Sequence, residues 1–220
     1  MIVAKLKPEE EIFESLGQAQ SILVLGCGGC TSVCYTGGLR ETDELAAVMS
    51  HMAKKAGRKI KTRVLVMERQ CEAEFLDDIR QAARDVDAIL SLGCGAGVQL
   101  LAEELAPLPV LPALNTLFIG STADYGTFEE RCRSCGDCQL AWTGGICPVT
   151  RCPKGIFNGP CGGSENERCE VNPENPCAWC EIYNRLKDQG RLDAIMKVRE
   201  PVLWQNQKQQ SFSPREKKKK

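Results

Sequence analysis

Nine of the chain's fourteen cysteines fall between Cys132 and Cys180, in a stretch rich in Gly, Pro and Asn and poor in periodic apolar residues. Such a segment cannot bury enough side-chain surface to form a core of its own, so an external constraint has to hold it. Disulfides are one way and metal ligation is another. The N-terminus, Met1 to Leu16, lacks a basic region followed by an apolar run, so no signal peptide is expected. A cytoplasmic location follows as the expectation, and in a reducing compartment closely spaced cysteines point to metal or redox chemistry.

The spacing inside this region is specific. Cys132-x-x-Cys135-x-x-Cys138 is a triplet that can wrap three corners of one cubane cluster, as in bacterial ferredoxins, with a fourth cysteine supplied from elsewhere. That remote cysteine is commonly followed by proline, and Cys147-Pro148 and Cys152-Pro153 both fit. Cys161, Cys169 and the Cys177-x-x-Cys180 pair complete the set. Spacing leaves three arrangements open: one cluster with spare thiols, two metal sites, or a cluster with a zinc ion. A zinc ribbon joining Cys132 and Cys135 to Cys177 and Cys180 would need a far longer insert than such ribbons carry.

The first half of the chain follows other rules. Ile12, Phe13 and Leu16 give residues 1–17 the look of a short amphipathic helix stopped by Gly17. Strand-length apolar runs follow at Ser21–Leu25, Arg63–Met67 and Ala88–Leu92, with a short one at Pro109–Ala113. Helical spacing lies between them, over Asp43–Lys55, Ala73–Arg84 and Val98–Ala106. Strands and helices alternating in this way predict right-handed βαβ units around a parallel sheet. The fold class is therefore α/β. A Rossmann-like domain is expected over residues 1–126, a cysteine-rich, metal-stabilised irregular domain over 127–204, and a disordered basic tail over 205–220. A C-terminal helix is expected over Cys180–Met196.

Cys27, Cys71 and Cys94 each come just past one of three successive strands, and in an open parallel sheet those ends share the edge at which ligands bind. Cys30 and Cys34 sit in the first turn. A four-thiolate site at this edge would suit a [4Fe–4S] cluster or zinc. Iron–sulfur is preferred because a structural zinc adds little to a domain that already has a core. The expected ligands are Cys27, Cys30, Cys71 and Cys94, with Cys34 in reserve. Gly26-Cys-Gly28-Gly-Cys-Thr31 resembles a dinucleotide-binding turn, but Thr31 stands where the third glycine belongs and cysteines fill the pyrophosphate's space.

Several function classes are disfavoured. No apolar stretch approaches the roughly 20 residues that span a bilayer. A net charge of −1 argues against a nucleic-acid binder. That charge is unevenly placed: residues 205–220 carry six basic side chains against Glu216, a net of +5, so the rest of the chain carries −6. His51 is the single histidine, Glu68 and Asp87 do not form an acid couple, and there is no phosphate loop. Trp142, Trp179 and Trp204 read as anchors covering apolar surface.

Longer motifs sharpen the reading. Cys135-Gly-Asp-Cys-Gln-Leu-Ala-Trp-Thr-Gly-Gly-Ile-Cys-Pro148, Cys152-Pro-Lys-Gly155, Asn158-Gly-Pro-Cys-Gly-Gly163, Cys169-Glu-Val171 and Cys177-Ala-Trp-Cys-Glu-Ile-Tyr-Asn-Arg-Leu186 resemble the methylenetetrahydrofolate reductase C-terminal-like domain, over about residues 127–200. With the α/β half in front, the chain is similar to the small cysteine-rich subunit of acetogen-type methylenetetrahydrofolate reductase, an enzyme of one-carbon metabolism in the Wood–Ljungdahl pathway. The resemblance implies a subunit that is not catalytic alone and carries one or more [4Fe–4S] clusters, with zinc as a further metal. Its partner would be a flavoprotein whose FMN or FAD reduces 5,10-methylenetetrahydrofolate to 5-methyltetrahydrofolate, with ferredoxin or another redox subunit as electron source. The competing expectations are a zinc-stabilised scaffold of the same complex and an electron-transfer module of a heterodisulfide-reductase-like assembly.

Overall fold

The computed structural model describes residues 1–201. The chain divides into two compact units, Met1–Ser134 and the remainder from Cys135. Trp204 and the basic tail lie outside the described residues.

In the first unit the alternation of strand and helix produces a four-stranded parallel sheet in the order β3-β2-β4-β5, from Ser21–Cys27 (β2), Lys61–Met67 (β3), Ala88–Ser91 (β4) and Val110–Pro112 (β5). The helices are Glu9–Ser15 (α1), the single turn Cys30–Val33 (α2), Leu39–Lys55 (α3), Leu76–Ala82 (α4) and Gly95–Glu104 (α5). Strand β2 explains why this half folds without help. Its side chains alternate between two cores: Ile22 and Val24 pack with Leu45, Met49 and Leu90, while Leu23 and Leu25 pack with Ile79, Ile89 and Leu101. Both faces are thus covered, as a parallel sheet requires. Truncating one of these side chains to alanine costs about 2–5 kcal/mol.

Residues 1–17 are not helical throughout. Ile2–Leu6 forms a strand (β1), and α1 begins only after Pro8. Proline favours a helix start, and Glu9, Glu10 and Glu11 suit the positive end of the helix dipole. Strand β1 pairs antiparallel with Leu114–Asp124 (β6), which turns at Tyr125 and Gly126 into Thr127–Cys132 (β7). Gly126 has φ of +74°, a value that favours glycine in this turn. This three-stranded sheet, β1-β6-β7, was missed from the sequence because β1 is five residues long and its partner lies over a hundred residues downstream. Residues 127–132 therefore belong to the first unit, which ends later than the change in composition at Thr127 implied.

The second unit holds a short helix, Pro148–Arg151 (α6), a helix Ala178–Asp188 (α7), and a 3-10 turn, Leu192–Ile195. The expected single helix over Cys180–Met196 is broken at Gly190, whose φ of +65° ends α7 and redirects the chain. The apolar face of α7 builds a small core from Trp179, Ile182 and Leu186 with Ile146, Cys177 and Ala194; Cys152 and Cys180 pack against it. Trp179 is the anchor: its indole N–H donates to the Ile156 carbonyl at 3.0 Å, and its ring leaves no room for a Cβ at Gly159. Trp142, by contrast, is partly exposed and lies under the Arg199 guanidinium, 4.1 Å from the ring centroid. No described helix is long and apolar enough to cross a membrane.

Candidate functional site

The parallel direction of β2, β3 and β4 brings their C-terminal ends to one edge, and three cysteines follow from that. Cys27 is the last residue of β2 and is buried. Cys71 lies in the loop after β3 and is exposed. Cys94 caps the N-terminus of α5, shortly after β4, and is half-buried. Burial pushes the Cys71 thiol above its ordinary pKa, and the neighbouring Cys94 and Cys27 sulfurs push it the same way. The Cys27 loop packs tightly on the Cys71 loop: the Gly28 N–H donates to the Met67 carbonyl at 2.7 Å, and the Cys27 sulfur lies 4.0 Å from the Glu68 carbonyl oxygen.

The first turn separates its two cysteines. Cys30 opens α2 and is partly exposed. Cys34 is buried on the other side of that turn. Its sulfur lies 3.2 Å from the Thr36 hydroxyl and within 4.0 Å of the Ile2, Ala4 and Thr31 carbonyl oxygens, beneath β1. These contacts make Cys34 a packed thiol, whereas Cys30 is partly exposed.

In the second unit, Cys152, Cys161, Cys169 and Cys177 line an enclosed cavity of about 20 Å³, together with Lys154, Ser164, Glu170 and Trp179. One water needs about 10–15 Å³, so the empty space is about that of a single water. Cys177 caps α7. Burial raises its thiol pKa, but the backbone N–H groups of Cys180 and Trp179 outweigh that and lower it on balance. Burial raises Cys180, whose thiol donates to the Ser164 hydroxyl at 3.6 Å. Lys154 pairs with Glu170, lowering the carboxyl's pKa, and the Cys161 thiol donates to the same carboxylate at 3.5 Å. Lys154 and Glu170 lie inside the motifs around Cys152 and Cys169, and Ser164 follows the one ending at Gly163, but nothing in those motifs singled the three out.

Cys147 caps α6 and does not line the cavity. Of the triplet, Cys132 ends β7 in the first unit, and Cys135 and Cys138 fall in the second. Among the described residues, no three Cys, His, Asp or Glu side chains close into a metal-holding group. The donor chemistry nonetheless suits metal: thiolate sulfur in both places, with no histidine near either.

Two of three comparisons with known proteins found nothing: no curated protein and no solved structure matches the chain. The third matched residues 111–205 to a family model described as methylene-tetrahydrofolate reductase C terminal. The match starts in β5, takes in the β6–β7 hairpin and covers every cysteine from Cys132 to Cys180. Residues 111–205 are thus similar to the methylene-tetrahydrofolate reductase C-terminal family.

Proposed function

We propose that this chain is the iron–sulfur electron-transfer subunit of a flavin-dependent methylenetetrahydrofolate reductase complex. What supports the reading is that the strand ends leading to Cys27, Cys71 and Cys94 share one sheet edge, in a chain whose residues 111–205 match this reductase family. Cys27, Cys71 and Cys94, with Cys30 from the first turn, would hold a [4Fe–4S] cluster. Such a cluster would supply one-electron chemistry at a potential set by burial, charge and hydrogen bonds to sulfur. The chain's own part is to fix the group at the surface. Cys27 anchors it to the core, while the exposed Cys71 and half-buried Cys94 leave one side open to a partner. The partner is a flavoprotein, and its flavin would deliver two electrons to 5,10-methylenetetrahydrofolate to give 5-methyltetrahydrofolate. Ferredoxin or a further redox subunit would reload the chain.

The second unit supports a different metal. Four cysteines lining one small cavity would suit a single zinc held by Cys152, Cys161, Cys169 and Cys177, with Cys180 alongside. If zinc filled both places, the chain would be a redox-silent scaffold for the same flavoprotein. That is the second reading, and the small cavity lined by four cysteines is what favours it.

The test is electron delivery. The anaerobically reduced chain is mixed with the flavoprotein that co-purifies with it, and flavin bleaching is followed. Bleaching that disappears in Cys94→Ala supports the relay. Iron-free pure protein, with full folate reduction in its absence using natural and artificial donors, would sink it. A companion that is not a folate-reducing flavoprotein would point instead to a heterodisulfide-reductase-like assembly.

A further inference from the structure

Beneath the first cysteine set lies a buried polar network with no apolar reason to exist. Few polar side chains are buried among the described residues, and three of them, Thr31, Gln70 and Ser91, sit under this one sheet edge. Gln70 is 1 % exposed and immediately precedes Cys71. Its amide nitrogen donates to the Leu25 carbonyl of β2 at 2.9 Å, two residues before Cys27. Its amide oxygen accepts from the Ser91 hydroxyl of β4 at 2.6 Å. The Ser91 oxygen in turn accepts the Gly93 N–H at 3.1 Å, one residue before Cys94. Thr31, next to Cys30, repeats the device. Its hydroxyl lies 2.9 Å from the Leu92 carbonyl and 3.4 Å from that of Cys27.

A buried amide costs free energy unless it is fully bonded, and both ends of this one are. The loops also close on it. A Cβ at Gly93 would stand 2.5 Å from the Gln70 amide oxygen, and one at Gly97 would stand 2.8 Å from the Gln70 Cβ. Gln70 therefore fixes the distance between three chain segments, and each segment carries one cysteine. The parallel sheet does not need it for that purpose, because the strands are already joined by their own ladder.

We infer that Gln70, through Ser91, is a positioning residue: it ties together the loops that carry Cys27, Cys71 and Cys94 at one sheet edge, so that their thiols can close on a metal. The inference rests on the metal reading of this cysteine set given above. Groups that orient ligands without touching the metal are worth about 10- to 100-fold in metal affinity. Neither Gln70 nor Ser91 would bond to the metal, so their removal acts only by loosening the loops.

The experiment uses the full chain, purified without air, as parent, Gln70→Met, Ser91→Ala and Asp87→Ala. Asp87 caps the Gln20 and Ser21 N–H groups, preceding and opening β2 at its other end, and reports general loss of stability. Iron release to a chelator, the EPR signal after reduction, and thermal midpoint are measured on each. Expected are about tenfold faster iron release and an altered EPR line shape in Gln70→Met and Ser91→Ala. Asp87→Ala should keep the parental release rate and line shape whatever its midpoint. If Gln70→Met does not fold, the smaller lesion in Ser91→Ala decides the matter. Release rates that track the thermal midpoint across all three variants would overturn the inference and reduce the network to fold maintenance. So would parental release and line shape in both network variants. A parent chain without iron would overturn the metal reading, and the inference with it; that outcome shows in the parent alone, before any variant is compared.

Discussion

The two units use cysteine in opposite ways. In the first, two apolar cores cover both faces of a parallel sheet, and the thiols of Cys27, Cys71 and Cys94 hang on the strand ends of a fold that stands without them. In the second, the core is little more than one face of α7 around Trp179, with Cys177 inside it and Cys152 and Cys180 against it. The same side chain is an accessory in one unit and part of the framework in the other. Metal bound in the first unit is thus free to serve chemistry, whereas metal bound in the second unit would be a folding element.

The comparison breaks most visibly on metal removal. A strong chelator, or Cys177→Ser, should unfold the second unit and leave the first intact, because structural zinc supplies apparent binding energies of about 10–16 kcal/mol in small domains. Limited proteolysis or hydrogen exchange reads this directly, with protection lost after Cys135 and kept in β2 and β4. Equal loss of protection in both units would erase the contrast.

A smaller effect separates the two cysteines of the first turn. Cys30→Ser should lower iron content with little change in thermal midpoint. Cys34→Ser should keep the iron and cost stability, on the order of 1–2 kcal/mol, since it sets a smaller, more polar hydroxyl in a buried site shaped for sulfur beneath β1. Iron analysis paired with urea unfolding decides it. The reverse pattern would make Cys34 the ligand.

The smallest effect concerns pH. The backbone N–H groups of Gln20 and Ser21 hold the Asp87 carboxyl below its ordinary value of 3.8. A carboxylate with a depressed folded-state pKa stabilises the fold above its unfolded pKa, and that contribution is lost as pH falls through the folded value. Stability of the first unit should therefore drop more gently below about pH 3.8 in Asp87→Asn than in the parent, as read by acid unfolding followed by circular dichroism.

Much of the first unit was legible in the sequence because its signals are local. Apolar runs of strand length, helical spacing and cysteines just past strands β2, β3 and β4 are all written within a few residues. Strand β1 and the β6–β7 hairpin were not legible, since Ile2–Leu6 becomes a strand only by pairing with a segment far along the chain, and much of β6 is exposed and shows no alternation. The role of Gln70 was hidden for a related reason: a glutamine beside a cysteine carries no signal until three strand ends close over it. In the second unit the cysteines were plain from the sequence, but which of them share a cavity was not. Cys152, Cys161, Cys169 and Cys177 are separated by irregular chain whose path periodicity does not encode.

The most direct test of the central claim is the metal content of the chain purified without air. Iron, acid-labile sulfide and zinc are counted, and an EPR spectrum is recorded after dithionite reduction. The account predicts about four irons with matching sulfide for the first cysteine set, a signal that appears on reduction and is lost in Cys94→Ala, and zinc that stays when that iron is gone. Zinc alone, with no signal on reduction, would contradict it and move all of the electron chemistry into the partner.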